Sequence, residues 1–178
     1  MALADDGAAA HLVAGLALPD VALTTCLGGT VNLAKLSGTA VVYVYPWTGR
    51  PGLSDPPGWD DIPGAHGSTP ETEGFRDRYP DFRSLGVAVY GLSTQGAEHQ
   101  RELSSRLGVP FALLSDPQFR VQQELSLPTF AAGGAPYLKR LTLVVRDGRI
   151  AHVFYPVDPP ATHAGEVASW LAAQPAAQ

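Results

Sequence analysis

The hydrophobic pattern changes period several times along the chain, and each change marks an element. Residues 22–33 sit in VALTTCLGGTVNL, two short apolar–polar alternations around Gly28 and Gly29, which predicts a hairpin. TAVVYVYP then runs without a polar break and stops at Pro46. A continuous β-branched and aromatic run of this length predicts a strand buried on both faces. Residues 47–67 hold Pro51, Pro56, Pro57 and Pro63 among glycines and aspartates, so a long loop is expected there, functional or covering. A helix follows from about Thr69, with Phe75, Tyr79, Phe82 and Leu85 at helical spacing. Pro80 falls inside it and predicts a kink or a split.

GVAVYGLS (86–93) reads as a second buried strand, and AEHQRELSSRLG (97–108) as an amphipathic helix stopped by Gly108. FALLSD predicts a third strand, residues 117–126 a short helix, and LKRLTLVVRDGRIAHVFY two strands turning at Asp147-Gly148. ATHAGEVASWLAAQ closes the chain as a helix, and residues 1–17 read as a loose N-terminal arm. Strands alternating with helices, followed by a hairpin and a last helix, give an α/β class. The order is thioredoxin-like: a central mixed sheet flanked by helices, in one domain spanning 1–178.

Charge narrows the partners. The formal net charge is -5, with 12 Lys and Arg against 17 Asp and Glu, and no basic face that could follow a phosphate backbone. No nucleic acid is expected. No apolar run approaches the roughly 18 residues of a membrane span. Asp5 and Asp6 stand where a secretory leader would be basic, so a cytoplasmic protein away from membranes is expected. Cys26 is the single cysteine, which removes any intrachain disulfide and any cysteine-rich zinc site. The five histidines show no ligand spacing, so no metal is expected, and His66 reads as a solvated loop residue. GLSTQG resembles a nucleophile elbow with its second glycine one place late, and reads as an ordinary strand–helix turn.

The helix that opens near Thr69 has the densest local signal. Ser68 with Glu71 three residues on fits a capping box, and Pro70 suits a first turn. Ser68 is therefore expected to cap the helix, Glu73 to be a solvated acid near its start, and Cys26 to be a buried idle residue. Trp47 and Trp59 bracket much of the long loop. It is expected either to wall a pocket or to carry a contact through exposed apolar groups.

Taken together, VVYVYP, GSTPETEGFRD, GLSTQ, PFALLSD, LPTF, KRLTLVVRDGRI and FYPVDPP resemble the peroxiredoxins. The resemblance is to the bacterioferritin-comigratory, Q-type branch with an enlarged active-site loop, and covers roughly residues 17–172. It implies a helix opened by Gly-Cys-Thr whose cysteine attacks peroxide, with a resolving cysteine five residues on. Here those positions are Ser68 and Glu73. Thr69 keeps its place after the nucleophile position, the family's arginine matches Arg140, and its strand-ending proline matches Pro46. The threonine that precedes the nucleophile in the family is Ala65.

The resemblance implies thiol-dependent reduction of hydrogen peroxide or alkyl hydroperoxides, without a cofactor, using thioredoxin or a small thiol as reductant. It suits a monomer or a homodimer. Serine cannot enter the sulfenic-acid cycle that makes a thiolate a peroxide reductant. The chain as written is therefore expected to be inactive as a peroxidase or an active-site variant. A serine here fits a deliberate replacement of a one-cysteine enzyme's nucleophile. It equally fits natural loss of the thiol, which leaves a redox-silent homologue acting as a binding or chaperone-like module.

Overall fold

The computed structural model describes residues 3–175. Its centre is a seven-stranded sheet built around the apolar run. The strands are β1 (Ala22–Thr25), β2 (Thr30–Asn32), β3 (Thr39–Val44), β4 (Ala88–Ser93), β5 (Leu113–Ser115), β8 (Leu141–Arg146) and β9 (Arg149–Phe154). Their order is β2-β1-β5-β4-β3-β8-β9, parallel from β3 through β4 to β5 and antiparallel elsewhere. This is the mixed, helix-flanked sheet of the thioredoxin-like fold.

β3 is buried on both faces because its residues alternate between two cores. Val42 and Val44 belong to one, and Val41 and Tyr43 to the other. On the second face lie α1 (Ser68–Ser84), α2 (Ala97–Leu107) and α4 (Pro160–Ala172), which contribute Phe75, Phe82, Leu103 and Val167. Phe75 stacks on Tyr43 with ring centroids 4.4 Å apart, so α1 is held directly over the central strand. Gly74 lets α1 approach α4 closely: a Cβ there would meet the Ala161 carbonyl at 3.2 Å.

α3 (Arg120–Leu125) supplies Val121 and Leu125 to the first face. Its open N-terminal amides are satisfied by Asp116, whose carboxylate accepts from the backbone N–H groups of Arg120, Val121 and Gln122 at 2.8, 3.0 and 3.3 Å. The expected loose arm also belongs to this face. Its residues 1 and 2 lie outside the described residues, but Ala9 and Leu12 are buried in the same core and Ala17 bridges to Arg149. The arm is packed because the first face has only one short helix and would otherwise leave Ile150 and Val145 uncovered.

Two further differences from the pattern reading have local causes. α1 passes through Pro80 as one helix, since Phe75 and Phe82 anchor it to the core on both sides of the proline. A second, two-stranded sheet, β6 (Thr129–Ala132) with β7 (Ala135–Leu138), forms where no strand was expected. Its sequence TFAAGGAPYL has too little apolar alternation to signal a strand, and it turns at Gly133 and Gly134, both at positive φ.

The Tyr43–Phe75 stack fastens α1 to the sheet. Phe75→Ala should therefore cost about 3–5 kcal/mol of unfolding free energy, measured by urea denaturation.

Candidate functional site

The 47–67 loop delivers the chain to α1 as a packed wall. Its start is fixed at Thr48, whose N–H donates to Gln95 Oε1 at 3.0 Å while Gln95 Nε2 donates to the Thr48 carbonyl at 3.2 Å. The GLSTQG turn thus anchors the loop; Gly91 and Ser93 lie in β4, and Gly96 precedes α2. Midway, a 3₁₀ turn at Trp59–Asp61 buries Trp59 against Phe130 and Tyr137 of the β6–β7 hairpin. The loop's aromatic groups therefore turn inward. Leu53 is its one large apolar side chain among those exposed in the described residues, so of the two expectations the pocket wall has the larger share of the loop's apolar groups.

Gly67 ends the loop with φ at 114°, a conformation that excludes side-chain-bearing residues, and a Cβ there would meet Pro160 Cγ at 2.7 Å. Helix α1 begins immediately after, with Ser68 as its first residue. Glu71 N–H is the first to bond back, to the Gly67 carbonyl at 2.9 Å. The amides of Ser68 and Thr69 therefore have no acceptor within the helix, and Pro70 has no amide to offer. Together they leave a positively polarised tip with two donors that have no partner among the described residues.

Ser68 does not cap this helix. Its Oγ accepts from Arg140 Nη1 at 3.0 Å, and no side-chain cap closes the N-terminus. The capping-box reading of Glu71 fails for the same reason. Its carboxylate is fully buried and accepts from the same Nη1 at 2.8 Å. Arg140 lies just before β8 and is itself 6% exposed. Its Nη2 faces the carbonyls of Gly64, Ala65 and His66 at 3.4, 3.1 and 3.2 Å. One buried guanidinium thus gathers the serine hydroxyl, a carboxylate and three loop carbonyls, which satisfies most of the requirement for burying such a charge.

Thr69 lines the same cleft as Ser68, a space of about 450 Å³ walled by Trp47 and Trp59. Pro46 is buried at the end of β3, next to Trp47 but not on the cleft lining. Glu73 sits away from the helix tip, half-exposed, with its carboxylate 3.9 Å from Arg76. Arg76 also donates to Asp77 and to the Leu107 carbonyl, so the FRD stretch ties α1 to the end of α2. Cys26 is buried, and its Sγ accepts from Leu113 N–H at 3.3 Å. His66 bonds Asp60 at 2.5 Å, and Asp55 joins them within 4.8 Å. Sequence spacing missed this convergence, but all three groups are exposed and the His66–Asp60 bond accounts for it.

The geometry is suited to holding a small polar ligand and unsuited to nucleophilic attack by serine. Ser68 Oγ accepts from a cation, which lowers its electron density, and among the described residues no base accepts its proton. The nearby carboxyl, Glu71, is turned to Arg140.

Residues 13–169 match the Redoxin family. The chain belongs to the redoxin family. Two curated redoxin relatives are similar in sequence. The chloroplastic peroxiredoxin Q of Oryza sativa subsp. japonica is 31% identical over 154 residues, covering 85% of this chain and 63% of the relative. That of Triticum aestivum is 30% identical over 150 residues, covering 83% and 61%. The chain thus spans somewhat less than two thirds of these relatives' length. Among solved structures, the Xanthomonas campestris peroxiredoxin Q superposes with a TM-score of 0.72 at 22% identity, over 90% of this chain and 98% of that one. The peroxidoxin BcpB of Mycobacterium tuberculosis gives 0.73 at 23%, over 93% and 99%. The resemblance read from the motifs, to the Q-type peroxiredoxins, thus holds for family and for fold.

Glu71 is the site residue that sequence reasoning misassigned. Burial pushes its carboxyl up to about 7 despite the opposing Arg140 charge, and its second oxygen is buried without a partner among the described residues. Unfolded, it titrates near 4.5; between these values the folded state holds the extra proton, so stability falls as pH rises through the window. His163 acts in the opposite sense. Burial, with Arg140 adding, lowers its imidazole from 6.5 to about 4, so stability falls as pH drops through that range. The two effects oppose each other where they overlap. Glu71→Gln removes only the first, and its unfolding free energy from urea denaturation should rise with pH from 5 to 7 more steeply than the parent's, by at least about 1 kcal/mol over the interval. Parallel pH profiles would exclude a titrating Glu71.

Proposed function

We propose that this chain keeps the oxidant-binding half of a peroxiredoxin-type thiol peroxidase and lacks the thiol half. It holds a hydroperoxide, or a ligand of similar size and polarity, at the α1 tip without reducing it. The observation that carries this reading is the 3.0 Å contact from Arg140 Nη1 to Ser68 Oγ. A buried guanidinium donates to the atom that occupies the nucleophile position, at the tip of a helix whose first amides have no acceptor within it. In such a cradle a thiolate would be favoured over a thiol, and the same donors would steady charge on the leaving peroxide oxygen.

A cysteine at residue 68 restores the full cycle in this scheme. The thiolate attacks one peroxide oxygen, the O–O bond breaks, and the leaving alkoxide or hydroxide takes a proton. The sulfur is left as a sulfenic acid. Glu73 cannot resolve it and Cys26 is buried, so the reductant is external. Two equivalents of a small thiol, or one reduced thioredoxin, return the cysteine with release of water and a disulfide.

The alternative of a chaperone-like module resting on an exposed apolar loop is disfavoured. Val13, Leu16, Leu27, Leu53 and Leu85, the exposed large apolar residues among the described residues, are spread over four separate segments, and Trp59 is buried.

Ser68→Cys should convert a chain with no peroxide turnover into one that consumes hydrogen peroxide or an alkyl hydroperoxide with dithiothreitol as reductant. Adding Arg140→Lys to that variant should lower the rate by about 10²–10³-fold. Failure of Ser68→Cys to form a sulfenic acid trapped by dimedone would rule out the cradle.

A further inference from the structure

A second cavity of about 310 Å³ is lined by Arg140 but not by Ser68. Ile62, Phe130, Pro156 and Val157 give it apolar walls, and Lys139 and Tyr155 add polar groups. Its volume is at the small end of those that hold small organic ligands. Arg140 Nε is buried with no partner among the described residues. Arg140 borders both this cavity and the Ser68 contact.

The chain closes this cavity with its own N-terminal segment. Leu3 and Ala4 line it, and Leu3 N–H donates to Asp158 at 2.8 Å. Asp6 places a carboxylate between the two polar groups of the wall. One oxygen accepts from Lys139 Nζ at 2.8 Å, and the other from the Tyr155 hydroxyl at 2.7 Å. The segment is rooted in the core only from Ala9 and Leu12 onward. Leu3 to Asp6 thus form a strap: an apolar group and a carboxylate, held by surface contacts alone.

We propose that this cavity is a binding site for a small amphipathic carboxylate, with Leu3 and Asp6 acting as an internal stand-in for its tail and its head. Charge complementarity specifies the head group. With Asp6 withdrawn, Lys139 stays on the wall as a cation and Tyr155 as a neutral donor, while Arg140, which also lines the cavity, is engaged by Glu71. The carboxylate geometry is the one that Asp6 already adopts. The apolar walls specify the tail, which at this volume is a short chain or a single ring. Arg140 borders both spaces, but the inference does not rest on the peroxide reading, because Lys139, Tyr155 and Asp6 take no part in the Ser68 contact.

Octanoate, octanol and acetate test it, titrated into the full chain with backbone amide shifts as the readout. Octanoate should give saturable shifts at Phe130, Lys139 and Tyr155. Octanol and acetate, each lacking one half of the recognised chemistry, should bind about tenfold more weakly or not at all. Lys139→Met should weaken octanoate by about tenfold, as expected for one charge-assisted hydrogen bond. Asp6→Asn, which removes the competing charge from an exposed position, should tighten it by about threefold or more. Equal binding of octanol and octanoate would overturn the assignment, as would indifference to Lys139→Met. Absence of saturable shifts in both the parent and Asp6→Asn would overturn it as well.

Discussion

The structure around the site depends on one buried cation. A guanidinium cannot be deprotonated at any ordinary pH, so Arg140 must be met by acceptors wherever the fold encloses it. Glu71 supplies the opposing carboxylate, Ser68 a hydroxyl, and Gly64, Ala65 and His66 their carbonyls. These partners come from the end of a long loop and the first turn of α1, whereas Arg140 comes from the joint between β7 and β8. The contact therefore sets where α1 begins relative to the sheet. It also turns three consecutive carbonyls inward, and Gly67 at positive φ follows them as the residue before α1.

That arrangement is indifferent to whether oxygen or sulfur occupies residue 68. Serine and cysteine are close in size, and either accepts a hydrogen bond from a guanidinium. The consequences for chemistry are opposite. A thiolate stabilised by the same donors is reactive, while a hydroxyl that accepts from a cation and lacks a base is inert. Family membership and fold are thus separate from the chemistry at residue 68, and the redoxin match across residues 13–169 is compatible with either atom there.

The N-terminal segment adds a second layer to the same cation. Arg140 borders two spaces, the Ser68 contact on one and the strapped cavity on the other. The strap is held by Asp6, whose carboxyl Lys139 and Tyr155 keep well below the usual carboxylate range. The root of the segment is different in kind: Ala9 and Leu12 are core residues, and apolar burial holds them without any polar pairing.

Much of the architecture was legible in the chain because it rests on local signals. The β3 run, the Asp147-Gly148 hairpin, the Gly108 stop and the amphipathic α2 each carry their own period or turn residue, and the motifs carry the family. The β6–β7 hairpin was not legible, since pairing of its Ala- and Gly-rich strands depends on the aromatic loop packed over it. The arm was not legible either, since two apolar residues gain structure only from a face that a single short helix covers. At the site, the sequence alone determined that residue 68 has no thiol and that a helix opens there. Only the tertiary structure decided what Ser68 and Glu71 do. Both read as capping residues by spacing, but the nearest unsatisfied charge lies some 70 positions away along the chain, and a buried guanidinium outcompetes a helix cap that water can replace.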